Sequence, residues 1–176
     1  LIGCELSVAA DNGSAKGRRG KGACAGHHLV VLAADTSGYQ NLLKLVSTPA
    51  QDGRRQVLEK KMVADHARGL IGLSGCLRGE IPTLLASGKE KQAEEVAGEF
   101  ASVFGKDNFF LELQDHGITG QDKVNRRLLQ LSRRSGLPVV ATNNVHYPTP
   151  QYADAHDVLM SIQQDTTVSD PKRHRY

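Results

Sequence analysis

Five short apolar runs alternate with amphipathic segments along this chain, and this alternation limits the folds that it can adopt. The runs are predicted as strands at residues 2–9, 29–34, 70–74, 109–113 and 137–142. Several of them are apolar without alternating polar residues, which is typical of strands that are covered on both faces. The segments between them repeat apolar residues at helical spacing and are predicted as helices at 38–47, 89–104, 122–135 and 150–163. This rhythm predicts parallel strands with crossover helices, and hence an α/β barrel or an open sheet.

The composition is typical of one globular domain or of a piece of a larger one. The chain has 176 residues, of which 39% are hydrophobic, so it can bury a core. Its formal charge of +3 permits contact with phosphates without requiring it. The three cysteines are odd in number and share no close spacing, which favours a reducing, cytoplasmic setting. The chain begins without Met, and we expect residues 1–176 to be part of a single domain in a longer protein.

A glycine-rich basic segment at residues 11–26 separates the first two predicted strands. Its glycines do not form a phosphate-binding motif, because no GxxxxGK[ST] or GxGxxG pattern opens a helix there. We therefore predict a solvated loop.

The last predicted strand ends at a polar tip within the segment GLPVVATNNVHY, residues 136–147. Alternate residues of a strand point to the same face, so Asn144 and His146 are expected to project together. In α/β folds, ligands and metals collect at the carboxyl ends of strands. The tip is therefore placed like half of a metal site.

Three further residues of metal-binding type lie where predicted strands begin or end: Glu5, His28 and Cys76. Carboxylate, imidazole and thiolate are all ligands for zinc and similar ions. Each also has a plainer interpretation. Glu5 can pair with a basic side chain, His28 can cap a strand, and Cys76 can be a small buried residue. Spacing alone does not identify a site.

Other polar residues are weaker candidates. His116 follows a predicted strand, but its surroundings indicate a turn. His156 and Asp157 fall on a predicted helix, where packing and capping are the default roles. No nucleophile elbow is found.

Six ordered blocks of the sequence resemble a known family. They are LIGCEL, HHLVVLAADTSGYQNLLKLVS, GLIGLSGCLRGEIPTLL, FGKDNFFLELQDHG, GLPVVATNNVHY and AHDVLMSIQ. In this order they closely resemble the PHP (polymerase and histidinol phosphatase) domain of the bacterial DNA polymerase III alpha subunit. The resemblance implies a distorted seven-stranded α/β barrel with a polynuclear metal cleft. This chain would be a partial (β/α)7 barrel that lacks its N-terminal strands.

The resemblance also implies a set of metal ligands. Glu5 matches the glutamate of a Gly-x-Glu strand, and His28 matches the histidine that opens the next strand. Cys76 matches the cysteine of Leu-Ser-Gly-Cys, and His146 matches the histidine of Asp-Val-His. The aspartate of that last motif is Asn144 here. An amide oxygen brings no negative charge to a cluster of dications, so metal affinity is expected to fall.

For function, the resemblance implies a parent protein that copies DNA, with Mg for the polymerase reaction and a sliding clamp and a proofreading exonuclease as partners. The polymerase carboxylates would lie outside this chain. The domain itself would be a structural scaffold or a weakened Mn- or Zn-dependent 3′–5′ exonuclease, and Asn144 favours the scaffold. A stand-alone PHP phosphoesterase, similar to histidinol phosphatase, is the alternative. We expect this chain by itself to be inactive and to bind divalent metal weakly.

Overall fold

The computed structural model describes residues 1–10, 26–47, 57–173 and 175. The chain forms two compact units, Leu1–Thr142 and Asn143–Tyr176. Nearly all of the segment predicted as a basic loop lies outside the described residues, and so does Cys24.

A five-stranded sheet forms the centre of the first unit. Its strands are β1 (Gly3–Val8), β2 (His27–Ala33), β3 (Leu70–Leu73), β4 (Phe109–Leu113) and β5 (Val139–Ala141). They lie side by side in chain order. The β1–β2 and β2–β3 pairs are antiparallel, whereas β3–β4 and β4–β5 are parallel.

The five predicted strands are confirmed, with β5 shorter than the predicted run. The prediction of parallel strands is wrong for the first two strand pairs, β1–β2 and β2–β3. Strand hydrophobicity reports which faces are covered and carries no information about direction, so the pattern could not separate the two cases.

The helices of the first unit are α1 (Thr36–Ser47), α2 (Lys60–Asp65), α3 (Glu80–Ala86), α4 (Glu90–Phe104) and α5 (Gln121–Ser135). The predicted mixture of helices and strands is therefore confirmed. Helix α3 was not among the predicted helices, because seven residues are too few to establish a helical period. Helix α5 ends where predicted, at Gly136, whose φ of 68° is in the left-handed region.

An aromatic cluster joins α4 to the sheet. The Phe100 ring stacks on Phe109 with centroids 5.4 Å apart, and Phe104 lies 6.1 Å from Phe109. Gly72 of β3 makes room for this cluster, since a Cβ there would lie 2.8 Å from the Phe104 ring. These contacts bury one face of β4. By strand alternation, Phe110, Glu112 and Gln114 share the opposite face.

The second unit contains a short 3-10 turn, Pro150–Tyr152, followed by helix α6, Ala153–Gln163. The Arg173 guanidinium binds the Asp157 carboxylate of α6 through two nitrogens, Nη2 at 2.6 Å and Nε at 3.0 Å. Hydrogen bonding to Arg173 lowers the pKa of Asp157. The pair ties the segment after α6 back onto that helix.

Candidate metal centre

Glu5 and His28 meet because of the register between β1 and β2. Ser7 lies directly opposite His28 in this antiparallel pair. Glu5 is two residues from Ser7, so it lies on the same face and is a diagonal neighbour of His28. The Glu5 side chain spans the diagonal, and its Oε1 lies 3.0 Å from Nδ1 of His28.

Cys76 reaches the same place from the loop after β3. Gly75, which precedes it, has a φ of +78°, and a Cβ there would lie 2.7 Å from the carbonyl oxygen of His28. Only glycine permits this close approach of the loop to β2. The His28 N–H donates to the carbonyl of Arg78 at 3.1 Å, which fixes the far side of the loop. Cys76 Sγ then lies 3.5 Å from His28 Nδ1.

His28 is the central member of this cluster. Its side chain is buried, whereas the side chain of Glu5 keeps 40% of its exposure. Hydrogen bonding to Cys76, and then to Glu5, raises the pKa of His28 from 6.5 to about 9, although burial opposes the rise. The imidazole is therefore cationic at neutral pH in the metal-free protein, and a metal ion must displace its proton.

The three donor atoms fit a metal ion. They lie within 4.8 Å of one another, and within the described ranges no other group of three His, Cys, Asp or Glu side chains is arranged in this way. A tetrahedral zinc site has edges of about 3.3 Å between nitrogen and oxygen ligands and about 3.6 Å between nitrogen and sulfur. The separations here are 3.0 and 3.5 Å. The cluster can hold one ion through three protein ligands, leaving a position for water or substrate.

Asn144 and His146 belong to the second unit. They follow β5 without regular secondary structure, and each side chain is partly buried. The ring centroid of His146 lies 5.9 Å from that of His156 on α6, and Tyr147 lies 5.3 Å from His156. A role for Asn144 and His146 in metal binding stays a prediction. His116 belongs to no ligand group within the described residues, and its backbone N–H donates to Gln121 in a turn.

Sequence reasoning missed Glu112, a buried carboxylate on β4. Its oxygens accept hydrogen bonds from the Gly75 N–H, the Gln114 side-chain amide and the Thr142 hydroxyl. The available signal was a single acidic residue within the apolar run FFLEL. A charged group is rarely buried unless its partners are present, so this residue pointed to a polar network.

Fold and cluster together define an α/β domain with a candidate metal site formed by β1, β2 and the loop after β3. A family model described as the PHP domain matches residues 1–116, and the chain belongs to this family. Within the described residues, no helix combines the length and the apolar character of a membrane span.

The similar proteins are DNA polymerase III alpha subunits. The chain is 43% identical to that of Thermus aquaticus over 179 residues and 39% identical to that of Treponema pallidum over 178 residues. Both matches cover 100% of the chain but only 14% and 15% of the relatives. A third match, to the Mycobacterium tuberculosis subunit, is 37% identical over 85% of the chain and 13% of the relative. The predicted resemblance to the PHP region of this subunit is confirmed, and the chain spans about a seventh of the relatives' length.

Proposed function

We propose that this chain is the PHP portion of a bacterial replicative DNA-directed DNA polymerase, a DNA polymerase III alpha subunit. The matches to such subunits over the whole chain support this assignment. The parent protein would bind DNA and transfer nucleotides with Mg at carboxylates elsewhere in its sequence. A sliding clamp and a proofreading exonuclease subunit would be its partners in the cytoplasm. Residues 1–176 would then be part of one PHP domain, a (β/α)7 barrel in its complete form.

For the domain itself, we propose a scaffold that retains a weak site for zinc or manganese. The observation that carries this proposal is the convergence of Glu5, His28 and Cys76 on one position. Such an ion, when bound, polarises water and stabilises charge on a phosphate. Asn144 argues for the scaffold over an active 3′–5′ exonuclease, since a neutral amide replaces the carboxylate that a cluster of dications requires.

A cobalt titration tests the metal site. Cobalt bound by a thiolate produces an intense charge-transfer absorption, and we expect the chain to develop this band with a dissociation constant in the micromolar range or weaker. The Cys76→Ser variant should abolish the band. Cys4→Ser is the matched control, because Cys4 is a free thiol one residue from Glu5 and should leave the band in place. Retention of the band in Cys76→Ser, or sub-micromolar affinity in the unaltered chain, would contradict the proposal.

The scaffold role is tested on the longer parent protein. We expect it to polymerise DNA without metal-dependent release of 3′ nucleotides by the PHP domain. Release that depends on zinc or manganese and is lost in His28→Ala would show an exonuclease instead.

A further inference from the structure

Glu112 joins the ends of three neighbouring strands. The Gly75 N–H, from the loop after β3, donates to Oε2 at 3.0 Å. The Gln114 amide, just beyond β4, donates to Oε1 at 3.0 Å, and the hydroxyl of Thr142, just beyond β5, donates to the same oxygen. Glu112 is 5% exposed, and its three donors are neutral groups. The carboxylate is therefore stabilised by hydrogen bonds that converge from separate strands.

The loop that carries Cys76 is held against Glu112 from two sides. The backbone N–H of Glu112 donates to Oγ of Ser74 at 2.8 Å, while its carboxylate accepts from Gly75. On the other side, the Gly75 backbone lies against the carbonyl of His28. Gly75 is thus fixed between β2 and β4, and the next residue is Cys76. The contacts on both sides of Gly75 therefore set the position of the Cys76 thiol relative to the His28 imidazole.

We propose that Glu112 is a positioning residue for the metal site, which holds the Cys76 thiol within reach of a metal bound by His28. This inference rests on the proposed metal site and adds a residue that does not itself ligate. Groups that orient metal ligands through hydrogen bonds typically change affinity 10- to 100-fold when they are altered. A carboxylate suits the role because two acceptor oxygens face three donors. The side-chain NH₂ group of a glutamine would face at least one of these three donors, so that a donor would meet a donor.

The decisive variant is Glu112→Gln, tested by cobalt titration with zinc competition. We expect the affinity to fall about 10- to 100-fold and the thiolate-to-cobalt band to weaken. Amide hydrogen exchange at Gly75 gives a readout without metal, and this amide should lose protection. Glu95→Gln controls for the loss of a charge at an exposed position. Leu131→Ala controls for lower stability, since Leu131 is a fully buried residue of α5 and makes no polar contact with Glu112.

Thr142 supplies a second, milder test in case Glu112→Gln does not fold. Thr142→Val removes one donor to the carboxylate and should weaken metal binding several-fold. Thr142→Ser keeps the hydroxyl and should bind metal as the unaltered chain does. Unaltered binding in both Glu112→Gln and Thr142→Val would overturn the inference. A loss in Glu112→Gln no larger than that in Leu131→Ala would also overturn it, because lower stability would then explain the effect. Absence of the band in the unaltered chain would overturn the proposed metal site together with this inference.

Discussion

Two glutamates on the same sheet have opposite surroundings. Glu5 on β1 keeps 40% of its side-chain exposure and faces the imidazole of His28 at 3.0 Å. Glu112 on β4 is 5% exposed, and its oxygens are occupied by donors from the ends of three strands. Glu5 can exchange its partner for an ion, whereas Glu112 cannot do so without breaking the structure around it.

This difference shows that residue type alone does not assign a role. A partly exposed carboxylate that contacts another candidate ligand can take part in binding a metal. A carboxylate that is enclosed by neutral donors has a structural role, because its hydrogen bonds hold the surrounding segments together. Substitution of Glu112 should therefore lower both stability and metal affinity, whereas substitution of Glu5 should lower metal affinity with little change in stability.

The largest expected effect is the loss of stability in Glu112→Ala. It leaves the Gly75 N–H and two side-chain donors without their acceptor, and each such loss in a buried site costs about 1–3 kcal/mol. We expect the free energy of unfolding to fall by about 3–4 kcal/mol in urea titrations of the metal-free chain. Glu5→Ala is the comparison and should change it by no more than about 1 kcal/mol. Equal effects of the two substitutions would remove the proposed distinction.

The second effect concerns metal affinity. Glu5→Gln removes the charged ligand and should weaken zinc binding by about 100-fold, equal to about 2.7 kcal/mol. The free energy of unfolding should stay within about 1 kcal/mol of the parent value. Competition with a chromophoric chelator measures the affinity. Zinc binding that is indifferent to Glu5 would exclude this residue as a ligand.

A smaller effect is expected in the pH dependence of the metal-free chain. The folded pKa of His28, about 9, lies above the ordinary value of 6.5. Its contribution to stability is therefore fully present below pH 6.5 and is lost as the pH rises through about 9. Glu5→Gln should lower the pKa of His28 and weaken the dependence of stability on pH. The NMR titration of the His28 ring measures this pKa. An unchanged pKa in Glu5→Gln would show that Glu5 contributes nothing to it.

The smallest effect concerns a third carboxylate, Asp157, which is held by an arginine. Because hydrogen bonding to Arg173 lowers its pKa, the pair contributes stability above the ordinary value of 3.8 and loses it as the pH falls through the folded value. Arg173→Gln should raise the pKa of Asp157 and shift the acid loss of α6 helicity, followed by circular dichroism, to higher pH. A shift in the opposite direction would contradict the pairing.

Much of the fold could be predicted from sequence, because strands and helices with a buried face leave a periodic record. The burial of Ala93, Ala97 and Phe100 on one side of α4 is such a case. Strand direction could not be predicted, since β1 and β2 would have similar hydrophobicity in either orientation. The short helix α3 left too few residues for a period.

For the site, Glu5, His28 and Cys76 came together because the β1–β2 register and the loop after β3 bring them to one place. The residues themselves make Glu5, His28 and Cys76 candidates, and the resemblance groups them in one set of ligands. The geometry then explains why these three meet. Glu112 was missed because its importance lies in contacts with Gly75 and Thr142, which are far apart in sequence. Contacts between residues that are far apart in the chain produce no periodic pattern in the sequence.

The diagonal contact between Glu5 and His28 has a consequence for assembly. A slip of one residue between β1 and β2 would turn Glu5 to the opposite face and present the neighbouring Cys4 or Leu6 to the imidazole. The register that presents Leu6 would lose the third ligand, whereas the register that presents Cys4 would replace the carboxylate with a thiolate. A bound ion would therefore act against the Leu6 register, and the intensity of the thiolate-to-cobalt band per bound ion would distinguish the native ligand set from the Cys4 register in a refolded sample.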